Sequence, residues 1–198
     1  MRMRNIQMLC VSRGMKDIHF PKKIAFKNHF DGIELHLSRA DCIEANPTVQ
    51  KRVTSICNQS TVYRNLFKER LKGARYSLTD ADEFLAWAHA GWDLSTHFVF
   101  IIIDVQSRIV GAIDIKSAEL DNAEIGYWAD SDYPGNVTNA VLAMIDSAIE
   151  TGFVRFTAFV RPDNVKSACV LERAGFSLSK TVEDREGYLC LERRITCS

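Results

Sequence analysis

The chain carries no net charge. Its 198 residues hold 25 Lys plus Arg against 25 Asp plus Glu, so no bulk field draws it to nucleic acid or to an anionic membrane. It also has no long hydrophobic run: the best candidate, residues 98–103, falls far short of the roughly 20 residues that a spanning helix needs. Met1-Arg2-Met3-Arg4 is charged, but no sustained apolar stretch follows, so neither a signal peptide nor a membrane anchor is expected. The six cysteines, Cys10, Cys42, Cys57, Cys169, Cys190 and Cys197, are scattered, with no C-x-x-C pair and no partnered histidine spacing. That pattern speaks against a zinc site and against a disulfide framework. Reduced thiols in a cytoplasmic, metal-free protein are the expectation. Internal repeats, low-complexity tracts and linkers are also missing, and the length suits one domain with a core of its own.

What is present is an alternation of strand and helix patterns. Residues 1–31 read as an N-terminal extension, with a possible extra strand over 24–26, and 33–37 alternates as a half-buried strand should. Asn46-Pro47 caps a helix whose apolar face is Val49, Val53, Ile56 and Cys57. A second helical pattern over 62–71 ends at Gly73, and a third runs from near Thr79-Asp80 to Gly91. Residues 98–103 and 109–115 form a hairpin of buried strands. Strands follow at 123–129 and 153–160, a short helix at 165–174 capped by Asp163 or Asn164, and two last strands at 176–182 and 188–195. The chain is therefore expected to be a single mixed α/β (α+β) domain with its sheet in the second half.

The most informative stretch is 124–152. A strand feeds a helix starting near Asn136 through Asp130-Ser131-Asp132-Tyr133-Pro134-Gly135. Val137, Ala140, Val141, Met144, Ile145, Ala148 and Ile149 give that helix one apolar face, and Gly152 ends it. Such a unit leaves backbone N–H groups at the helix start facing the strand's carboxyl end, where the helix dipole favours an anion.

The run Arg161-Pro162-Asp163-Asn164-Val165-Lys166-Ser167-Ala168-Cys169-Val170-Leu171-Glu172-Arg173-Ala174-Gly175-Phe176 resembles the N-x-x-S-x-x-V-L-E-K-x-G-F signature of the GCN5-related N-acetyltransferases (GNAT), in the RimJ/RimL-like branch. Glu124-Ile125-Gly126-Tyr127-Trp128 is similar to that branch's E-L-G-Y-W strand, and Thr79 to Trp87 to its second helix. The resemblance covers about residue 33 to the end. It implies a mostly antiparallel sheet flanked by helices over 32–198. It also implies transfer of an acetyl group from acetyl-CoA to a primary amine, with the cofactor arm between strands 123–129 and 153–160. The cofactor cradle it implies comprises the backbone of Trp128, Ala129 and Asp130, the turn Gly135, Asn136, Val137, Thr138 and Asn139, the Asn164 amide and Ser167. One departure stands out: this loop is two residues shorter than the family's, Val137 replaces its second glycine, and it carries no basic residue.

An acceptor amine must lose a proton before or during attack on the thioester. Glu124 is the candidate base, against the alternative of a salt-bridged strand glutamate. The departing thiolate needs a donor. Leu171 stands where many relatives have tyrosine, and the resemblance implies that Ser167, at the serine position of the RimL-like branch, serves instead, against the alternative of a serine bonding its own backbone. His89 and His97 flank the end of the third helix, within reach of the acceptor side, but lone histidines are more often surface or satisfied core groups and no catalytic role is expected. Trp87 and Trp92 at the same end are candidates for an acceptor-pocket wall, against the commoner core role of aromatics at helical spacing. Cys169 has no neighbour in sequence that would activate it. The acceptor, a protein N-terminus or a small-molecule amine, is not legible, and monomer and homodimer are both open. A binding protein on the same fold, or a transferase of another acyl group, is the competing reading.

Overall fold

The computed structural model describes residues 18–179 and 185–195. Eight strands, β1 (Lys23–Lys27), β2 (Glu34–Arg39), β3 (Phe98–Asp104), β4 (Ile109–Ile115), β5 (Ala123–Ala129), β6 (Arg155–Val160), β7 (Ser177–Leu178) and β8 (Leu189–Arg194), make one sheet. Its order is β1-β2-β3-β4-β5-β6-β8-β7. Every neighbouring pair is antiparallel except β5 and β6. Central β3 is buried at all seven positions, which explains its unbroken apolar run.

Five helices, α1 (Pro47–Cys57), α2 (Ser60–Val62), α3 (Leu78–Leu94), α4 (Val137–Thr151) and α5 (Val165–Arg173), cover the sheet. Strand alternation assigns them to faces. On β5 the even residues meet α3 and α1: the Trp128 and Phe84 rings are 5.7 Å apart, and Asp130 receives Arg52 of α1. The odd residue Tyr127 meets Ser167 of α5 on the opposite face. Helix α4 packs on α5 and on β1.

Several expectations are corrected. The third helix does not stop at Gly91 but continues to Leu94, where Ser95 takes the left-handed conformation that ends it. Gly91 is there for contact, since a Cβ would collide with the His97 ring and backbone. Its start is set by Ser77, which forms a reciprocal capping box with Asp80. The second helical pattern is not one helix but the single turn α2 followed by a wider turn at Tyr63–Phe67. The sheet begins in the first half of the chain, because β1 and β2 pair in register with β3 at its edge. The strand at 153–160 opens at Arg155, leaving Phe153 buried in the core. Only Ser177–Leu178 of the strand at 176–182 is seen, and 180–184 lies outside the described residues.

The N-terminal extension also reaches the core. Phe20 is 1% exposed and packs its ring against Trp92, Phe98 and Phe100.

Candidate active site

Strands β5 and β6 pair only at Ala123–Phe156 and Glu124–Thr157, then diverge. Lys116 N donates to Glu124 O and Asp130 N to Val110 O, so the even residues of β5 direct their backbone groups at β4. The amides of Tyr127 and Ala129 therefore face the opening wedge. On β6, Ile195 N bonds Val154 O, so even residues face β8 and Phe159 faces the wedge. Among the described residues these two edges have no backbone partners across the wedge, which leaves a slot between them. Of the backbone groups expected to cradle a cofactor, those of Ala129 line this slot, while those of Trp128 and Asp130 are turned toward β4.

At the wedge's carboxyl end lies the start of α4. Asn136, the residue before it, is completely buried, and neither end of its side-chain amide has a hydrogen-bond partner among the described residues. A buried polar group without a partner costs about 1–3 kcal/mol. Val137, Thr138 and Asn139 open the helix, where backbone N–H groups have no intrahelical acceptor. The Asn139 side chain is already committed, donating to Lys27 O at 2.7 Å, and Thr138 is buried. Gly135 adopts φ +89°, and a Cβ there would strike Asn28 Oδ1 and the Phe30 ring. Asn28 Nδ2 donates to Pro134 O and His29 N to Gly135 O. The turn after β1 thus clamps this loop from outside, a contact that nothing in the sequence announced.

On the α5 side, Asn164 caps the helix, its Oδ1 accepting from Ser167 N at 3.3 Å. The Ser167 hydroxyl does not bond its own backbone. It meets the Tyr127 hydroxyl at 2.7 Å, and the same phenol donates to Ser167 O at 3.2 Å. Burial pushes the Tyr127 phenol up to about 12, although Ser167 and Arg173 pull it back. It therefore stays protonated, a donor throughout the neutral range. Sequence reasoning missed it. A phenol sharing one strand face with Ala123 and Ile125 was the available signal.

The opposite face of β5 carries the charged groups. Glu124 Oε1 lies 3.3 Å from Lys116 Nζ and Oε2 3.0 Å from Arg185 Nη2. Lys116 Nζ also lies 3.5 Å from Asp114 Oδ1. That contact is an ion pair only: Oδ1 is buried and makes no hydrogen bond among the described residues, although 17% of the Asp114 side chain is accessible. Burial raises the Asp114 pKa above the ordinary carboxylate value, with the Lys116 charge opposing the rise. Lys116 reaches this position across Gly126, where a Cβ would collide with its ammonium. An acid inside the apolar run Ile113-Asp114-Ile115 was the sequence signal for this cluster. Farther out, Trp87 stacks on His97 with centroids 4.2 Å apart, and His89 Nε2 contacts Ile43 O.

The Acetyltransferase (GNAT) domain family model matches residues 45–177. The chain belongs to this family. No curated protein sequence matches, but solved structures do. RimJ from Mycobacterium smegmatis, in complex with CoA-disulfide, is 18% identical with TM-score 0.67, over 88% of this chain and 88% of that one. RimL, a ribosomal alpha-N-protein acetyltransferase in complex with coenzyme A, is 19% identical with TM-score 0.65, over 81% and 94%. The N-acetyltransferase PseH of Campylobacter jejuni, in complex with acetyl coenzyme A, is 16% identical with TM-score 0.57, over 82% and 99%. At these identities the likeness is one of fold. The GNAT match begins after β2, so β1, β2 and the clamp at Asn28 lie outside it. Among the described residues of this GNAT domain no helix is long and apolar enough to cross a membrane, and no cluster of side chains is suited to a metal.

Proposed function

We propose that this GNAT domain transfers an acetyl group from acetyl-CoA to a primary amine by direct attack, in the manner of the RimJ/RimL-like branch. The observation that carries the reading is the β5/β6 wedge ending at the orphaned Asn136 amide and the start of α4. The wedge offers strand-edge groups on both sides to the amides of a pantetheine arm. The α4 start offers open N–H donors, and Asn136 a buried donor, to a pyrophosphate. No basic side chain assists in the loop, so backbone and amide donors carry the anion.

When bound, acetyl-CoA supplies the activated thioester. Every other step falls to this chain's residues. Glu124, at the last paired position of the wedge, takes the proton from the acceptor amine, and Asp114 lies across Lys116 from it. Lys116 and Arg185 now occupy the Glu124 oxygens, so a cationic acceptor enters by exchanging with one of them. The Tyr127 phenol, donating to the Ser167 carbonyl, holds the Ser167 hydroxyl at 2.7 Å, and the Ser167 hydrogen turns from the phenol oxygen to the departing thiolate. Asn164 fixes the helix start that holds Ser167 in reach.

Titration calorimetry with acetyl-CoA, compared with free CoA, tests this. A micromolar dissociation constant, about −8 kcal/mol, is expected. No heat at millimolar ligand with folded protein would remove the acetyltransferase reading and leave the wedge as a site for another ligand.

A further inference from the structure

The neutral overall charge conceals one uneven stretch. Between Gln59 and Ser77 the cations are Arg64, Lys68, Arg70, Lys72 and Arg75, and Glu69 is the sole acid. All of these side chains are exposed. The stretch stands at the mouth of the proposed site. Glu69 pairs with Arg161, which directly follows β6 and precedes the Asn164 cap. Arg64, Arg70 and Arg161 converge on one cleft of about 130 Å³, together with Asn65, Glu69 and Tyr188. From Tyr188 the chain turns back to Arg185, whose guanidinium holds Glu124 and lies 4.0 Å over the Phe159 ring at the wedge. Cleft and proposed base are thus joined through one turn.

The charges in the cleft are not balanced internally. Arg161 is met by Glu69 and Asp163, whereas Arg64 and Arg70 form no ion pair among the described residues. Asn65 Oδ1 is buried and has no hydrogen-bond partner there. A simple anion would satisfy the arginines but offers no donor to Asn65. A polypeptide with acidic side chains offers both, carboxylates for planar guanidinium forks and a backbone N–H for the amide oxygen. A nucleic-acid backbone fits less well, because Glu69, Asp163 and Glu124 interrupt the basic track.

Resting on the acyltransferase reading, we infer that the acceptor is a polypeptide carrying acidic residues just after its free amino terminus, held by Arg64, Arg70 and Arg161 with Asn65 accepting a backbone N–H.

The test uses the full chain and short peptides with a free amino terminus and a C-terminal fluorophore, carrying acidic, neutral or basic residues after the first position. By fluorescence anisotropy the acidic peptide is expected to bind about tenfold more tightly than the neutral one, with the advantage shrinking as salt rises. The double variant Arg64→Glu, Arg70→Glu is expected to abolish that preference without changing acetyl-CoA affinity by calorimetry. Arg64→Gln, Arg70→Gln, a milder change at exposed positions, should give an intermediate loss. Equal or tighter binding of the neutral or basic peptide would overturn the inference. So would tighter binding of an oligothymidine, or loss of acetyl-CoA binding in the charge-reversal variant, which would assign the cleft to the cofactor. An acidic peptide that binds selectively but is never acetylated upholds the charge preference and counts against the acyltransferase reading alone.

Discussion

The Tyr127 and Ser167 hydroxyl oxygens stand 2.7 Å apart, one on the sheet and one on the helix that covers it. The strand places a phenol where this chain's own helix, with Leu171 buried in the core, offers none. If Tyr127 acts by orienting the Ser167 hydroxyl, the two residues work as one unit. Ser167→Ala and Tyr127→Phe should then each lower kcat, and the double variant should lose little more than the worse single one. Multiplying losses in steady-state kinetics would show that they act separately.

Glu124 is expected to matter for rate and not for cofactor binding. Glu124→Gln should cost on the order of 10²–10⁴ in turnover while acetyl-CoA affinity stays the same. Intact turnover would leave Glu124 as an ion-pair partner of Lys116 and Arg185 only.

Asn136 sets stability against binding. Replacing its unpaired buried amide by a similar apolar volume, Asn136→Leu, should stabilise the ligand-free protein by about 1 kcal/mol. The same change should weaken acetyl-CoA about tenfold, close to 1.4 kcal/mol. Thermal unfolding with and without ligand measures both. A variant that loses stability and keeps its affinity would mean that the amide serves the fold.

Asp130 links α1 to the end of β5. Burial alone would raise its pKa, but the hydrogen bonds from Gln59, Asp132 N and Arg52 outweigh it and hold the carboxyl below its ordinary value. A depressed carboxylate contributes stability above its unfolded pKa and loses it as pH falls toward the folded value. Acid unfolding monitored by circular dichroism should therefore show an acid limb that Asp130→Asn flattens. At neutral pH that substitution should cost about 1–2 kcal/mol, because Arg52, partly exposed, loses its charge partner but keeps its hydrogen bond to Ile109 O.

The loop clamp predicts a strict requirement at one glycine. Gly135→Ala places a Cβ against Asn28 and Phe30 at positive φ, which should cost about 1–3 kcal/mol. A melting temperature equal to that of the parent would show that the turn after β1 moves aside freely.

Much of the architecture was legible because it is written locally. The unbroken apolar runs of β3 and β4, the Asn46-Pro47 start of α1 and the 3.6-residue period of α4 each fix an element from a few adjacent residues. The motif from Asn164 to Phe176 was equally plain, since one helix turn places Asn164 and Ser167 together. Where local signals conflicted, contact decided. Gly91 reads as a helix stop, yet α3 runs through it because the His97 ring needs the space that a side chain would fill.

The sequence by itself determined most of the elements, their order and the branch of acyltransferases that the chain resembles, because periodicity, caps and a contiguous motif depend on near neighbours. The tertiary structure alone decided how distant segments complete the site. It brought Tyr127 to Ser167, set Lys116 between Asp114 and Glu124, laid Asn28 over Gly135 and left Asn136 without a partner. Each of these depends on strand register and on which face a residue takes, and both are set by packing across the sheet rather than by neighbours along the chain.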